Sequence, residues 1–389
     1  ANKRYIVGAT EHSVTGDDEG QLWIAVSKED NAGGDYYVYR IPTPTGGKDP
    51  FLDFPRLGQD RNTIYIASNK SAVVPGEKSR QYKTEEWLLL PKAGLYRGAG
   101  DFSYQYVHDI KVTGILTDSS HPANVWNPSD DPGAGLFVTS KNPNVPKNLP
   151  QCEKKDKIDV CNGLYVWAVV PNPDPRHPLP LITAVAVPTG HDYSLPPAVP
   201  QGNPYAFVDA GDTRIAGQVT YGAGSLFATL TTKTNGDRKA AALLFRIEPM
   251  LVQSALPDCQ SPNCRAIDSA KITNELLLNY GDDSSFYATT QPDPQGNTLT
   301  VFNMAGPKRY PAAAFILRTT KTNTVVAQPG VSAIRNQRGW GDYSAVAPRP
   351  PQSQGDSFTM WFAAEFTKGP TKGIYSEEWF TTVGFSWAQ

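Results

Sequence analysis

Short β-strand patterns separated by turn residues recur along the whole sequence, and this repetition limits the chain to a small set of folds. The strand patterns combine aromatic and β-branched residues, and they recur at an average spacing of about 67 residues. A second strand pattern follows each one, which is typical of antiparallel hairpins. The repeated patterns start at Leu22, Thr63, Leu136, Ser225, Thr298 and Phe358.

The residue composition favours strands over helices. The chain has 33 glycines and 34 prolines in 389 residues, so roughly one residue in six interrupts regular structure. No segment has the periodicity of a clear amphipathic helix. The nearest candidate, residues 271–280, fits a buried strand equally well. We therefore predict an all-β protein.

The repeats predict a single β-propeller that spans residues 1–389 as one domain. Three strands are visible in most units, and the count favours six blades. Seven blades are the alternative, if residues 94–132 contain a further unit. Long polar insertions rich in proline separate some of the strands, and in a propeller such loops collect on the faces of the ring. These insertions are residues 142–162, 171–180, 188–204 and 250–269.

One stretch near the C-terminus resembles a known group of proteins. The string Arg338-Gly339-Trp340-Gly341-Asp342-Tyr343-Ser344-Ala345, followed by Met360-Trp361-Phe362, resembles the last blade of secreted microbial β-propeller proteins of largely unknown function. More distantly, the chain is similar to sialidase-type propellers, although it lacks their repeated S-x-D-x-G-x-x-W turn. The resemblance implies a secreted propeller and assigns no activity.

The four cysteines fall in two close pairs within polar loops, Cys152 with Cys161 and Cys259 with Cys264. Spacings of nine and five residues without a neighbouring histidine fit a zinc site poorly. We predict two local disulfides, which form in an oxidising compartment. The chain starts at Ala1 without a methionine, as a mature end does after removal of a signal peptide. We therefore expect a secreted protein, extracellular or on the cell surface, with the periplasm as an alternative.

The charge pattern argues against several classes of partner. The formal net charge is −2 and the charged residues are dispersed, so no basic patch for nucleic acid is visible. No apolar run approaches the roughly 18 residues that span a bilayer. The sequence identifies no metal with certainty and leaves calcium open, because acidic turns supply its preferred oxygen ligands. These turns contain residues 17–19, Asp130, Asp131, Asp282, Asp283 and Asp293.

Polar side chains at the starts of strands are the candidate site, since propeller ligands bind at the mouth of the central channel. Paired carboxylates with arginines and aromatic rings suit a sugar-processing site, where one acid donates a proton and a second carboxylate stabilises charge. The candidate catalytic residues are Asp212, Asp342, Arg214 and Tyr343. The candidate ligand-binding residues are Asp53, Arg56, His121, Tyr287, Arg338 and Trp340.

Three functions are consistent with these residues. The first is a secreted propeller that binds an extracellular glycan or a surface or matrix component, with Trp340 or Trp126 as an exposed surface for sugar stacking. The second is a polysaccharide-active hydrolase or lyase that uses Asp212 or Asp342. The third is a scaffold protein of an outer surface. Whether the protein is an enzyme stays open at this point, because the same residues also occur as structural caps.

Overall fold

The structure is a computed structural model that describes most of the chain. The described residues are 4–11, 20–43, 48–73, 80–100, 103–112, 115–142, 152–155, 157–172, 179–202, 205–234, 239–254, 264–318, 322–334, 340–349, 359–369, 375–376 and 379–384.

Strands account for nearly all regular structure in the first half of the described chain. One short α-helix, α1 (Lys92–Tyr96), and one 3-10 turn, Pro128–Asp130, interrupt them. The strands are β1 (Ile6–Glu11), β2 (Gly20–Ser27), β3 (Tyr36–Thr43), β4 (Lys48–Gln59), β5 (Thr63–Val73), β6 (Arg80–Pro91), β7 (Gln105–His108), β8 (Lys111–Val112), β9 (Ile115–Leu116), β10 (His121–Val125), β11 (Gly135–Ser140), β12 (Glu153–Lys155), β13 (Ile158–Val170) and β14 (Leu181–Tyr193).

The second half of the described chain continues with strands alone. These are β15 (Val199–Pro200), β16 (Phe207–Val208), β17 (Ile215–Gly222), β18 (Ser225–Lys233), β19 (Ala240–Gln253), β20 (Arg265–Leu278), β21 (Ser284–Pro292), β22 (Thr298–Gly306), β23 (Arg309–Arg318), β24 (Thr322–Gln328), β25 (Ala333–Ile334), β26 (Ala345–Pro348), β27 (Met360–Thr367), β28 (Tyr375–Ser376) and β29 (Trp379–Gly384).

The chain divides into two compact units that interleave along the sequence. We call them unit 1 and unit 2 and describe each separately; that the whole chain forms one domain stays a prediction. Unit 1 comprises Ala1–Thr139, Trp167–Ala184 and Leu251–Ile267, and unit 2 comprises Ser140–Val166, Val185–Met250 and Asp268–Gln389.

Unit 1 contains two antiparallel meanders. In the first, β2 pairs with β1 on one side and β3 on the other, and in the second β4, β5, β6 and β7 pair in order. Apolar residues of both meanders share one core, which includes Ile24, Ile64 and Leu88. A second group of buried rings lies around Trp87, which stacks on Phe137 at 4.4 Å and meets Trp167 edge to face at 5.2 Å. These tryptophans are core residues, as their positions in strand patterns indicate.

Unit 2 contains three more meanders of the same kind. Strands β17, β18, β19 and β20 follow one another in sheet order, as do β21, β22, β23 and β24, while β27 pairs with β26 and β29. Alternate residues are buried between neighbouring sheets, including Phe302 and Met304 in one core and Val301 and Phe362 in another. A propeller blade is an antiparallel meander of this kind, and consecutive meanders correspond to consecutive blades.

The first strand of three meanders carries the same irregularity. The pairing register shifts in β4 after Asp53, in β17 after Ala216 and in β21 after Phe286. Each bulge contains a residue in the left-handed region, Phe54 (φ 53°), Gly217 (φ 61°) or Tyr287 (φ 51°). A bulge with a left-handed residue bends the strand and turns one side chain to a new direction. For Phe54 and Tyr287 that conformation is uncommon, because a Cβ atom disfavours it.

The all-β prediction is confirmed, and the ambiguous segment 271–280 lies largely within β20. The number of blades, six or seven, stays a prediction. The disulfide Cys152–Cys161 is present, with a Cα–Cα separation of 4.4 Å. Cys259 lies outside the described residues, so its pairing with Cys264 stays a prediction. Among the described residues, no helix has the length and apolar character that crossing a membrane requires.

Candidate functional site

Acidic side chains from two turns of unit 2 come together around a tyrosine on one strand. Asp209 and Asp212 lie in the turn between β16 and β17, where the Asp209 carboxylate accepts the main-chain N–H of Gly211 at 3.0 Å. Asp212 accepts the main-chain N–H of Arg214 at 2.8 Å and forms an ion pair with the guanidinium of the same residue at 2.6 Å. Such Asx turns fix a carboxylate through its own backbone, so these acids need no support from distant elements.

Tyr287 connects this turn to a second one. Its phenol hydrogen-bonds the side chain of Asp342, in the turn before β26, and its charge environment includes Asp209 and Asp212. The main-chain N–H of Tyr287 donates to the hydroxyl of Thr231 at 3.2 Å. The left-handed bulge therefore holds the Tyr287 ring between the two acidic turns. We call Asp209, Asp212, Arg214, Tyr287 and Asp342 the acidic cluster.

Two glycines make room for the Tyr287 ring. A Cβ atom on Gly211 would lie 2.6 Å from Cε1 of that ring, and a Cβ atom on Gly341 would lie 3.0 Å from its Cδ2. Both glycines have positive φ, 76° and 88°. Any other residue at either position would therefore meet backbone strain and a steric clash at once. The main-chain N–H of Gly341 in turn donates to the carboxylate of Glu365 at 3.0 Å, which ties the second turn to β27.

Burial changes the protonation of Asp342 within the acidic cluster. Desolvation raises the pKa of Asp342, and the neighbouring carboxylates of Asp212 and Asp209 raise it further, while the Tyr287 hydrogen bond and the Arg214 charge act in the opposite direction. Burial also raises the pKa of Glu365 and of Tyr287. Asp342 therefore keeps its proton to a higher pH than an ordinary aspartate. A carboxyl group of this kind beside an ion-paired carboxylate is a common feature of functional sites.

Four buried polar atoms of unit 2, on the two acidic turns and on β22, have no hydrogen-bond partner among the described residues. They are Thr213 Oγ1, Trp340 Nε1, Ser344 Oγ and Asn303 Oδ1, and each belongs to a residue that is at most 5% exposed. Buried polar atoms are nearly always satisfied, by protein, water or ligand. Three of the four atoms belong to residues within two positions of a member of the acidic cluster. Ordered water or a bound polar molecule at the cluster would supply the missing hydrogen bonds.

The structure places the predicted residues of unit 2 in different roles. Asp212 and Arg214 lie close enough to Asp342 to act on its pKa, and a catalytic role for the three residues stays a prediction. Tyr343 is 63% exposed next to Asp342, so its ring is accessible. Trp340 is fully buried and packs 6.3 Å from Phe286, so the interpretation of its ring as an exposed stacking surface is wrong. A large ring that follows a turn packs inward here, because it fills the core beneath the bulge.

Three further predicted residues lie in unit 1, and two of them are buried. Arg56 is 7% exposed, donates to the main-chain oxygen of Ser120 at 3.0 Å and covers the Phe54 ring at 4.4 Å. His121 is 2% exposed and meets the same ring at 5.8 Å. The main-chain oxygen of Asp53 accepts the hydroxyl of Ser68 at 3.0 Å, within the β4–β5 hairpin. Ligand contact by these residues stays a prediction, and Arg338 lies outside the described residues.

Glu85 is a buried acid in unit 1 that sequence reasoning missed. Its carboxylate accepts the main-chain N–H of Ser120 at 2.5 Å and the hydroxyl of the same residue at 2.8 Å, and it lies 3.8 Å from the Arg56 guanidinium. Burial raises its pKa to about 7, although Arg56 and Ser120 favour the charged form. In the sequence, Glu85 and Glu86 immediately precede the apolar run Trp87-Leu88-Leu89-Leu90 in one strand, and this position alone does not indicate burial.

The described residues contain no group of three or more histidine, cysteine, aspartate or glutamate side chains placed to hold a metal ion. Asp209, Asp212 and Asp342 thus interact through charge without forming a ligand set. Calcium binding stays a prediction.

Comparison with known proteins identifies no family. The sequence matches no protein-family model and no curated protein at a significant level. A protein of unknown function from Dyadobacter fermentans is similar in structure, with 10% identity, a TM-score of 0.45 and coverage of 99% of this chain and 92% of that one. An endo-arabinase from Bacteroides thetaiotaomicron has 12% identity and a TM-score of 0.29, over 87% of this chain and 95% of its own.

The glycine at position 211 provides a test of how Tyr287 is held. Gly211→Ala should lower the free energy of unfolding by about 3 kcal/mol, because it adds a clash with the ring to left-handed backbone strain. Gly224→Ala is the matched control, since Gly224 has a similar φ of 74° and a methyl group added there would meet nothing within 4 Å. That control should lose only about 1 kcal/mol. Urea denaturation measures both, and equal losses would contradict the packing described for Tyr287.

Glu85 should make stability depend on pH. Because its pKa is about 7 in the folded protein and about 4.5 when unfolded, its stabilising effect is full below pH 4.5 and is lost as the pH rises through 7. We expect the free energy of unfolding to fall by about 3 kcal/mol across this window. Glu85→Gln should flatten the curve, whereas Asp282→Asn, at an exposed carboxylate, should leave it unchanged. Denaturation of the wild type and both variants at several pH values measures this dependence. If the free energy of unfolding of Glu85→Gln fell with pH as steeply as that of the wild type, Glu85 would not be the group responsible.

Proposed function

We propose that the protein is a secreted glycan-binding protein whose binding site is the acidic cluster of unit 2. The observation that carries this proposal is the combination of ion-paired and protonatable carboxyl groups with buried polar atoms that lack partners among the described residues, beside the exposed ring of Tyr343. Saccharides present many hydroxyl groups, each of which donates and accepts, and carboxylates and amides are suitable partners for them. The disulfide Cys152–Cys161 supports an extracellular location.

The charge of the acidic cluster favours a neutral saccharide. Among the described residues, three carboxyl groups, those of Asp209, Asp212 and Asp342, lie around one guanidinium, that of Arg214, which Asp212 already engages. A uronate or sialic acid would bring a further negative charge to this group and meet repulsion that increases at low salt. A neutral ring would instead accept from Arg214 and donate to the carboxylates. The proposed ligand class is therefore neutral oligosaccharide.

The aromatic contribution to binding comes from Tyr343 in place of Trp340. Its ring is 63% exposed and directly follows Asp342 in sequence, so a sugar could stack on it while its hydroxyls reach the acids. The adjoining turn residues Ser344 and Trp340 have buried donors without partners among the described residues. A saccharide, or water that it orders, would satisfy them.

A second candidate function is hydrolysis of the bound glycan, and the raised pKa of Asp342 favours it. A general acid must keep its proton near the working pH, and Asp342 does so through burial and through repulsion by Asp212 and Asp209. In this reaction Asp342 would protonate the departing glycosidic oxygen. Asp212, held by Arg214, would stabilise the positive charge that develops on the sugar or activate water.

Replacement of Tyr343 tests glycan binding. Tyr343→Ala should weaken binding of neutral oligosaccharides about tenfold, because it removes the stacking surface. Tyr205→Ala is the matched control, since Tyr205 is 90% exposed on the same unit and lies outside the acidic cluster. Isothermal titration with pentose and hexose oligosaccharides, and with uronate oligomers for comparison, measures the effect. Equal affinities of the two variants, or tighter binding of uronates, would exclude the proposed site.

Replacement of Asp342 separates hydrolysis from binding. Asp342→Asn should lower the release of reducing ends from a neutral polysaccharide by about 100-fold or more, because the amide donates no proton. Binding should change much less. The rate of the wild type should fall as the pH rises through the pKa of Asp342. The residual rate of Asp342→Asn should not show this fall. Release of reducing ends by Asp342→Asn at the wild-type rate would remove the enzymatic candidate and leave the binding function intact.

A further inference from the structure

A groove of about 350 Å³ lies in unit 1, and no residue of the acidic cluster lines it. One wall is formed by residues 37–41 of β3, and the other by Gly98, Gly100 and Tyr104. Successive side chains of a strand point to opposite faces of its sheet. A groove that contacts five successive residues therefore lies along the edge of β3 and not over one of its faces.

The edge of β3 is open in the described part of the chain. This strand pairs with β2 in unbroken register from Tyr36 to Thr43, and no described strand pairs with its other side. The meanders β4–β7 and β21–β24 each have four strands, whereas the meander β1–β3 has three. Every second residue of such an edge directs its N–H and C=O away from the sheet. The groove occupies the place that a fourth strand would take.

Contacts within the groove argue against a sugar as its ligand. A Cβ atom on Gly98 would lie 2.4 Å from the Tyr37 ring, so one face of that ring is covered, and the ammonium of Lys28 lies 5.4 Å from the ring centroid. The Tyr39 hydroxyl donates to the main-chain oxygen of Leu95 at 2.7 Å. These tyrosines serve as fixed walls. Stacking on a saccharide needs an uncovered ring face.

We propose that the edge of β3 binds an extended acidic peptide segment of a partner protein, which adds to the sheet as a fourth strand. Main-chain hydrogen bonds would supply affinity, and side chains opposite β3 would supply specificity. Val38, 61% exposed, and Arg40 alternate with the tyrosines and share one face of the strand. The Arg40 guanidinium donates to the neutral side chain of Gln21. An apolar residue opposite Val38 and a carboxylate opposite Arg40 would make favourable cross-strand pairs.

The test uses the full chain and a displayed library of random eight-residue peptides. We expect enrichment of sequences that alternate apolar residues with aspartate or glutamate. A synthetic copy of the best peptide should bind Gly100→Trp at least tenfold more weakly than wild type and bind Gly100→Ala as well as wild type. A Cβ atom at Gly100 meets nothing within 4 Å, so both substitutions fit and only tryptophan fills the groove. Arg40→Glu changes an exposed residue and should also weaken binding at least tenfold. This second variant tests the site even if Gly100→Trp does not fold.

Backbone chemistry of the peptide identifies the mode of binding. N-methylation of alternate amides should lower affinity about tenfold or more in one register and have little effect in the other, because only alternate N–H groups face β3. Equal effects in both registers would overturn the added-strand geometry. The proposal would be overturned if the library yielded no peptide whose binding is weakened by Arg40→Glu and by Gly100→Trp. It would also be overturned if neutral oligosaccharides displaced the peptide. The glycan site in unit 2 is unaffected by either outcome.

Discussion

The acidic cluster depends on one strained residue, Tyr287, and on the two glycines that accommodate its ring. A non-glycine residue in the left-handed region costs roughly 1–2 kcal/mol, so the surrounding structure must compensate for it. It does so with a hydrogen bond from the Tyr287 amide to Thr231, a phenol bond to Asp342, and close packing on Gly211 and Gly341. If the ring moved, the turn that carries Asp212 and the turn that carries Asp342 would lose their common support. Phe54 has the same conformation in β4, where it supports Arg56 in unit 1.

Much of the fold was predictable from the sequence because the pattern of strands and turns is local. Alternating apolar residues and Asx or glycine turns determine each hairpin within a short window, so the all-β class and most strand positions followed. The bulges did not follow. A left-handed Phe54 or Tyr287 depends on partners dozens of residues away, such as Thr231, and its own sequence neighbourhood reads as ordinary strand.

The candidate site was predictable in part for the same reason. Asp212 and Arg214 form a local turn, and a turn sequence of aspartate and glycine is recognisable without a structure. The role of Trp340 was not predictable, because only tertiary packing decides whether a ring beside a turn is exposed or buried. Glu85 was missed since an acid next to an apolar run is ordinarily solvent-exposed. Here Arg56 and Ser120, from other strands and loops, compensate for its burial.

The proposed function depends on the chemistry of the acidic cluster, and the most direct test is the titration of Asp342 itself. Carbon-13 chemical shifts of the aspartate carboxyl groups, assigned with Asp342→Asn, report its protonation against pH with and without neutral oligosaccharide. We expect a midpoint above that of an ordinary aspartate and a shift of the titration curve when oligosaccharide is added. A curve typical of a solvent-exposed aspartate, unchanged by oligosaccharide, would contradict both the buried acid and the proposed binding site.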